Sequence, residues 1–231
     1  MIFLLYDFTF WRHLVQPTSL TNLLNKEYEE GITIRGYKKS LYLIFFFTLV
    51  YYIVRNLLGI GTEPLTELLA TDMNDLYVVA RLLSLAGTIV IAILFWILHY
   101  YVISYTIAAL TELPIKWVQK IQLYVIFFIV LEKALTLVAF TIAGFNTPFT
   151  FFSLAPMTAY IYYDEFLLFF LNQLTVATLI TVVVQYKFLS NWIDHKKTLL
   201  AKLVLLQLTI ALIVAVISIL PIFSWIERGL S

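Results

Sequence analysis

Five long apolar runs constrain the fold of this chain more than any other feature of its sequence. A helix needs about 20 predominantly apolar residues to cross the hydrocarbon core of a bilayer. The runs cover residues 41–60, 82–110, 121–145, 166–186 and 203–223, and only two of them contain a charged residue. This pattern predicts an all-α integral membrane protein, built as a bundle of five transmembrane helices.

The composition supports the membrane class. Apolar residues make up 62% of the 231 residues and charged residues only 13%, whereas a soluble domain carries roughly 25% charged residues. The net charge is +1 and no basic block is present, so nucleic acid is not a predicted partner. The absence of cysteine excludes disulfides and thiolate metal sites. The composition predicts the lipid bilayer as the surroundings of this chain.

The charges between the apolar runs predict the orientation. Eleven lysines and arginines occupy three segments that a five-crossing chain places on one side of the membrane. The other side holds seven acidic residues with Arg81 and Arg228. The positive-inside rule therefore predicts a cytoplasmic N-terminus and an outside C-terminus. We interpret residues 1–40 as a cytoplasmic or interfacial segment and residues 41–231 as the transmembrane domain.

A short amphipathic helix is predicted within the N-terminal segment. Leu20, Leu23 and Leu24 recur at helical spacing after Pro17, and Gly31 provides a stop signal. Two positions for this helix are open at this point. It lies on the inner leaflet, or it covers the inner mouth of the bundle.

Adjacent charges in the middle of the third run require an explanation. A charge at the centre of a membrane helix costs ~2.5–3.5 kcal/mol on insertion scales. Glu132 shares a helical stripe with Thr136, and counting along the helices places Arg55 and Asn172 at a similar depth. Three interpretations are open for Arg55, Glu132 and Asn172. They form a buried ion-pair and amide cluster, they line a solute or proton path, or they form a face that docks on a partner.

Lys133 is expected to differ from Glu132. Adjacent residues on a helix do not face each other, and the stripe that contains Lys133 is apolar. That stripe consists of Ile126, Val130, Leu137 and Phe140. The pattern predicts that Lys133 meets a polar group on a partner protein or reaches round to another helix of the bundle.

Two further features could form contacts. Ala211 and Ala215 form a small-x-x-x-small face that packs against a helix of this chain or of a partner. The loop at residues 146–163 is nearly uncharged and rich in phenylalanine. It is expected to dip back into the membrane, cover the outer mouth or contact a partner.

Motifs of common catalytic and metal sites are missing. No phosphate-binding loop and no H-E-x-x-H motif occurs, and the three histidines are too scattered for a metal site. His99 is interpreted as an interfacial residue. A membrane enzyme would need a second catalytic residue beside Glu132, and none is found. No metal, cofactor or enzymatic activity is therefore predicted.

The N-terminal stretch FWRHLVQPTSLTNLL places an aromatic cluster before Pro17 and a short leucine-bearing helix. It resembles the opening of the bacterial Yip-domain membrane proteins. The length and the number of apolar runs fit the YknW-like type, a small subunit that accompanies an ABC exporter in defence against a peptide toxin. The resemblance implies a bacterial cytoplasmic membrane and a membrane-protein partner, and no site residue is carried over from it.

Two hypotheses of function follow. The first is a non-enzymatic membrane protein that binds and helps assemble a larger membrane complex such as an ABC exporter. The alternative is a small channel or secondary transporter in which Arg55, Glu132 and Asn172 line the path.

Overall fold

The computed structural model describes residues 8–30, 34–62, 65–71, 73–144 and 147–220. Regular structure in these ranges is helical, as the apolar runs predict. The α-helices are α1 Phe10–Val15, α2 Pro17–Glu29, α3 Tyr37–Leu57, α4 Thr66–Ala70, α5 Asn74–Ile97, α6 Ile103–Thr111, α7 Ile115–Ala143, α8 Ala155–Ala159, α9 Glu165–Gln173, α10 Val176–Leu189 and α11 Lys196–Ile219. A π-helical turn, Leu98–Val102, joins α5 to α6.

Four helices of the described chain are long and apolar enough to cross a membrane: α3, the continuous helix Asn74–Thr111, α7 and α11. They confirm the membrane class and four of the predicted helices. The prediction of a continuous helix at 166–186 is wrong, because α9 and α10 are separated at Leu174 and Thr175. At 1.5 Å per residue, α10 extends about 21 Å, which is less than the ~30 Å hydrocarbon core.

The break has a local cause. Asn172 is poor at holding the last turn of a helix, because its short polar side chain competes for backbone hydrogen bonds. Thr175 is extended (φ −103°, ψ 173°), and its side chain accepts a hydrogen bond from the Thr178 N–H. This is the geometry of a helix N-cap, so a new helix begins there.

The helix that carries the charged pair is central to the bundle. α7 packs against α3, α6 and α10, while α11 packs against α9 and α10. The half of α7 that begins at Trp117 is almost entirely buried, and Leu123, Tyr124 and Ile126 have no exposed surface. The apolar interior of the bundle is therefore built around the first half of α7.

Polar contacts fix α3 against α5. The Asn56 side chain donates to Ser84 Oγ at 2.9 Å and to Thr88 Oγ1 at 3.0 Å. Arg81 donates to the Asn56 carbonyl at 3.1 Å and to Thr62 Oγ1 at 2.6 Å. Arg81 therefore satisfies a carbonyl at the C-terminal end of α3, where the helix leaves acceptors without an internal partner.

The N-terminal helices cover one end of the bundle. α2 begins at Pro17 as predicted, and Leu20 and Leu24 are fully buried. Trp192 Nε1 donates to Asn25 Oδ1 at 2.7 Å. Of the two positions considered for this helix, these contacts correspond to the covering one. The predicted stop at Gly31 lies outside the described residues.

Aromatic rings join this cover to the interior. Phe10 of α1 stacks on Tyr124 with centroids 4.4 Å apart, and Tyr124 stacks on Phe188 of α10 at 5.4 Å. We call this end of the bundle the capped half; it contains α1, α2 and residues 117–126 of α7. The cavity half contains residues 127–143 of α7 and the break between α9 and α10.

Candidate functional site

The cavity half encloses a space of about 830 Å³. Every long helix of the described chain contributes to its wall, together with residues of the loop after α7. The charged, histidine and amide side chains on this wall are Arg55, His99, Glu132, Lys133, Asn172, Gln173 and Gln207. The predicted set of Arg55, Glu132 and Asn172 is therefore brought together around one cavity.

The break between α9 and α10 lies at this cavity, and the backbone N–H groups at the start of α10 all donate hydrogen bonds. The first four N–H groups of α10, at residues 176–179, all have acceptors. In that order, they donate to Phe152 O at 3.2 Å, Glu132 Oε2 at 2.5 Å, Thr175 Oγ1 at 3.3 Å and Thr175 O at 3.1 Å. Interrupted backbone is tolerated at membrane depth only where protein or a cavity surrounds it.

Glu132 joins α7 to the start of α10. Its carboxylate accepts the Ala177 N–H although the two residues are 45 positions apart. The N-terminus of a helix carries a partial positive charge, so a carboxylate is stabilised there. None of the described cations lies within 4.0 Å of this carboxylate. The ion pair with Arg55, which was part of one of the three interpretations, is therefore not formed, and the carboxylate accepts from the start of α10 instead.

Asn172 attaches the loop after α7 to α9. Its Oδ1 accepts from the Thr150 N–H at 2.9 Å and from Ser153 Oγ at 3.2 Å, and its Nδ2 donates to Pro148 O at 3.3 Å. Asn172 is therefore engaged with this loop, while Glu132 holds α10.

The same loop folds back along α7. Thr150 Oγ1 lies 3.0 Å from Thr136 Oγ1. Thr136 precedes the end of α7 by seven residues, which is about 10 Å along a helix axis. The described part of the loop therefore returns toward the middle of α7 and forms part of the cavity wall.

Lys133 lies on the same cavity as Glu132. Of the two expectations for Lys133, this placement corresponds to the one directed toward other helices of the bundle and not to the one directed toward a partner protein. The stripe is buried within this chain, since its members are between 0% and 9% exposed: Ile126, Val130, Leu137 and Phe140. The interior of this bundle is as apolar as its lipid-facing surface, so an apolar stripe did not identify the outside.

Ala211 and Ala215 are buried inside the chain, with 2% and 0% of their surface exposed. Their helix, α11, packs mainly against α9. Small side chains permit close approach of two helix backbones. The small-residue face therefore serves packing within this chain, which was one of its two predicted roles.

The sequence pattern did not identify several residues of the cavity wall. His99 was interpreted as interfacial, but it lies in the π-helical turn and borders the cavity. His99 Nδ1 and Thr181 Oγ1 are buried, and neither has a hydrogen-bond partner in the described part of the chain. Turns of π-helix occur frequently at functional sites, but no residue pattern in the sequence predicts this one.

No group of three histidine or acidic residues that could hold a metal ion is found in the described ranges. No family model matches the chain, and no curated protein and no solved structure matches it either. The resemblance to Yip-domain proteins therefore stays a prediction. A function for this chain has to be inferred from its cavity.

Proposed function

We propose that this chain is a membrane carrier that moves a small polar solute through the cavity half. The observation that carries the proposal is a broken helix whose new N-terminus is held by Glu132 at a polar cavity inside an apolar bundle. Secondary transporters bind solutes near the bilayer midplane at interrupted helices of this kind. α9 and α10 together form the fifth crossing in this proposal, and the N-terminus lies in the cytoplasm.

The cost of the charges supports a solute path over a packing role. Arg55, Glu132 and Lys133 line the cavity without an ion pair among the described residues. Charges that only fixed helix packing would be expected to pair, because an unpaired charge in a membrane core is expensive. Water or a polar solute in the cavity lowers that cost.

The arrangement of the two halves supports alternating access. The stacked rings of Phe10, Tyr124 and Phe188 close the capped half. The break between α9 and α10 provides a joint, and Glu132 holds it by hydrogen bonding to one backbone N–H. Release of that bond lets α10 move against α7, which opens the capped half while α9 closes the other side.

The hypothesis of an assembly subunit for an ABC exporter stays a prediction. It was based on the intramembrane charges, the small-residue faces and the lack of catalytic motifs, with Lys133, Ala211 and Ala215 as possible partner contacts. Lys133 lines the cavity, and both alanines are packed within the chain. These positions favour the carrier hypothesis.

The absence of cysteine makes a direct test possible. A single cysteine at Gln207, on the cavity wall, is labelled in membrane vesicles of both orientations with a membrane-impermeant maleimide. Two controls lie on the same helix: Leu205→Cys, where the native side chain is 66% exposed on the bundle surface, and Leu203→Cys, where it is 1% exposed. A lipid-facing thiol and a packed thiol are both protected from a water-soluble reagent.

A carrier exposes the cavity to each side in turn, so Gln207→Cys should react from both sides much faster than either control. Reaction from one side only would identify a one-sided pocket and contradict the carrier proposal. Reaction no faster than that of Leu205→Cys would show that the cavity is closed to water. This result would also contradict the carrier proposal.

A further inference from the structure

The chemistry of the cavity wall indicates the class of solute. We propose that the cavity binds a small organic anion, with its carboxylate head held by Arg55 and Lys133. This inference rests on the proposed function and narrows it to one kind of solute.

The balance of charge is the first argument. Two basic residues, Arg55 and Lys133, line the cavity, and Glu132 is the one acidic residue among the described residues of its wall. One oxygen of the Glu132 carboxylate, Oε2, already accepts a hydrogen bond from the Ala177 N–H. None of the described carboxylates lies within 4.0 Å of either cation. Two cations without a partner attract an anion strongly, because the low dielectric of the bundle strengthens the interaction.

Unused hydrogen-bonding groups are the second argument. Thr181 is only 2% exposed, and its hydroxyl has no hydrogen-bond partner among the described residues. Thr181 and His99, whose Nδ1 also has no partner within these ranges, both line the cavity. A buried polar group without a partner costs free energy. The oxygens of a carboxylate would accept from the hydroxyl and satisfy it.

The size and the walls of the cavity exclude a simple inorganic ion as the best fit. A space of about 830 Å³ is large for a hydrated halide or phosphate and lies in the range of pockets for small organic ligands. Phe95, Leu98 and Phe140 contribute apolar surface to its wall. The occupant that matches both features has one anionic head and an apolar or aromatic body.

Benzoate is a probe of this class, and two analogues differ from it mainly in charge. Benzamide has a similar shape and no charge, while benzamidine is a cation. The purified Gln207→Cys protein in detergent is labelled with an uncharged, water-soluble maleimide in the presence of each compound. We expect benzoate to slow the labelling at concentrations about tenfold below those that benzamide requires, and benzamidine to give no protection.

Charge-removing variants locate the head group. Arg55→Gln and Lys133→Gln, each combined with Gln207→Cys, should raise the half-protecting concentration of benzoate about tenfold. Lys202→Gln is the matched control, because Lys202 is exposed and donates to the Leu110 carbonyl away from the cavity. It should leave the protection unchanged. Size-exclusion chromatography checks that each variant is folded.

Several results would overturn the inference. Equal protection by benzoate and benzamide, or no protection by benzoate, would exclude an anion site, and this comparison needs no change at Arg55 or Lys133. Loss of labelling in phosphatidylglycerol vesicles without benzoate, compared with phosphatidylcholine vesicles, would assign the site to a lipid headgroup instead. In either case fast labelling from both sides would still support the carrier, so the two proposals fail separately.

Discussion

The two halves of α7 have similar apolar content but different surroundings. From Trp117 to Ile126 every residue except Gln119 is buried, whereas from Phe127 to Ala143 only Val130, Leu137 and Phe140 are. The first half lies in a close-packed aromatic interior. The second half borders an open cavity that both charged and apolar side chains line. One continuous helix therefore connects a close-packed end of the bundle to an end that borders the cavity.

The two halves differ in how their charged residues are compensated. In the capped half Lys120 forms an ion pair with Glu27, and Gln185 donates to Gln122 at 3.0 Å, although Gln122 Nε2 and Gln185 Oε1 have no partner among the described residues. In the cavity half Arg55 and Lys133 have no ion-pair partner among the described residues. A paired charge stabilises a fixed structure, whereas an unpaired one in a membrane bundle is costly without water or a ligand.

The largest effect is expected at the ion pair of the capped half. Lys120 is 5% exposed and its ammonium group contacts the Glu27 carboxylate. Glu27→Gln leaves this cation buried without an anion, which should lower the free energy of unfolding by about 3 kcal/mol. Reversible denaturation in detergent measures this change in the free energy of unfolding.

The matched control for that change removes both charges. Glu27→Gln combined with Lys120→Met should recover most of the lost stability, because no charge is left buried. A Glu27→Gln protein as stable as the unchanged chain would mean that water reaches Lys120, and that the capped half is less closely packed than its burial indicates.

An effect of intermediate size is expected when buried and cavity-lining residues of α7 are truncated. Ile126 is fully buried in the capped half, whereas Ile129, less than one turn further along, borders the cavity. Ile126→Ala should cost about 2 kcal/mol through lost packing, and Ile129→Ala less than half of that because its neighbours are already incomplete. The same denaturation experiment compares them. Equal costs would show that the cavity is as tightly packed as the capped half.

The smallest predicted effect is the pH dependence of the stability of α1 and α2, the helices that cover the capped half. Burial, together with the neighbouring Arg12, lowers the pKa of His13 below its usual value of 6.5. The unfolded segment therefore binds more protons than the folded one, so stability is retained above pH 6.5 and decreases as pH falls below it. Relative to the intrinsic rate of an unprotected amide at the same pH, amide hydrogen exchange in α1 and α2 should accelerate under those acidic conditions.

The control for this prediction is His195, which is exposed. His13→Asn should remove the acceleration in α1 and α2, and His195→Asn should leave it unchanged. An acceleration that persists in His13→Asn would assign the pH dependence to another group.

The apolar runs predicted most of the helices, and Pro17 predicted the start of α2. Helix length and period follow from local composition, so a single sequence contains them. The break at Leu174 and Thr175 was missed because Asn172 and Gln173 are the only strongly polar residues beside it, in a predominantly apolar run that is long enough for a continuous span. The position of Lys133 was left open between a partner and the bundle, because in a membrane bundle apolar residues face both lipid and interior.

The sequence by itself determined that this chain is an all-α membrane protein with charges placed in the third apolar run. Those properties depend on composition and on spacing along one helix. Only the tertiary structure decided that α10 begins against Glu132 and that Arg55, Lys133 and Asn172 surround one cavity. The physical reason is that the hydrogen bond to Ala177 and the cavity wall join residues far apart in the chain, whose meeting depends on how the helices pack.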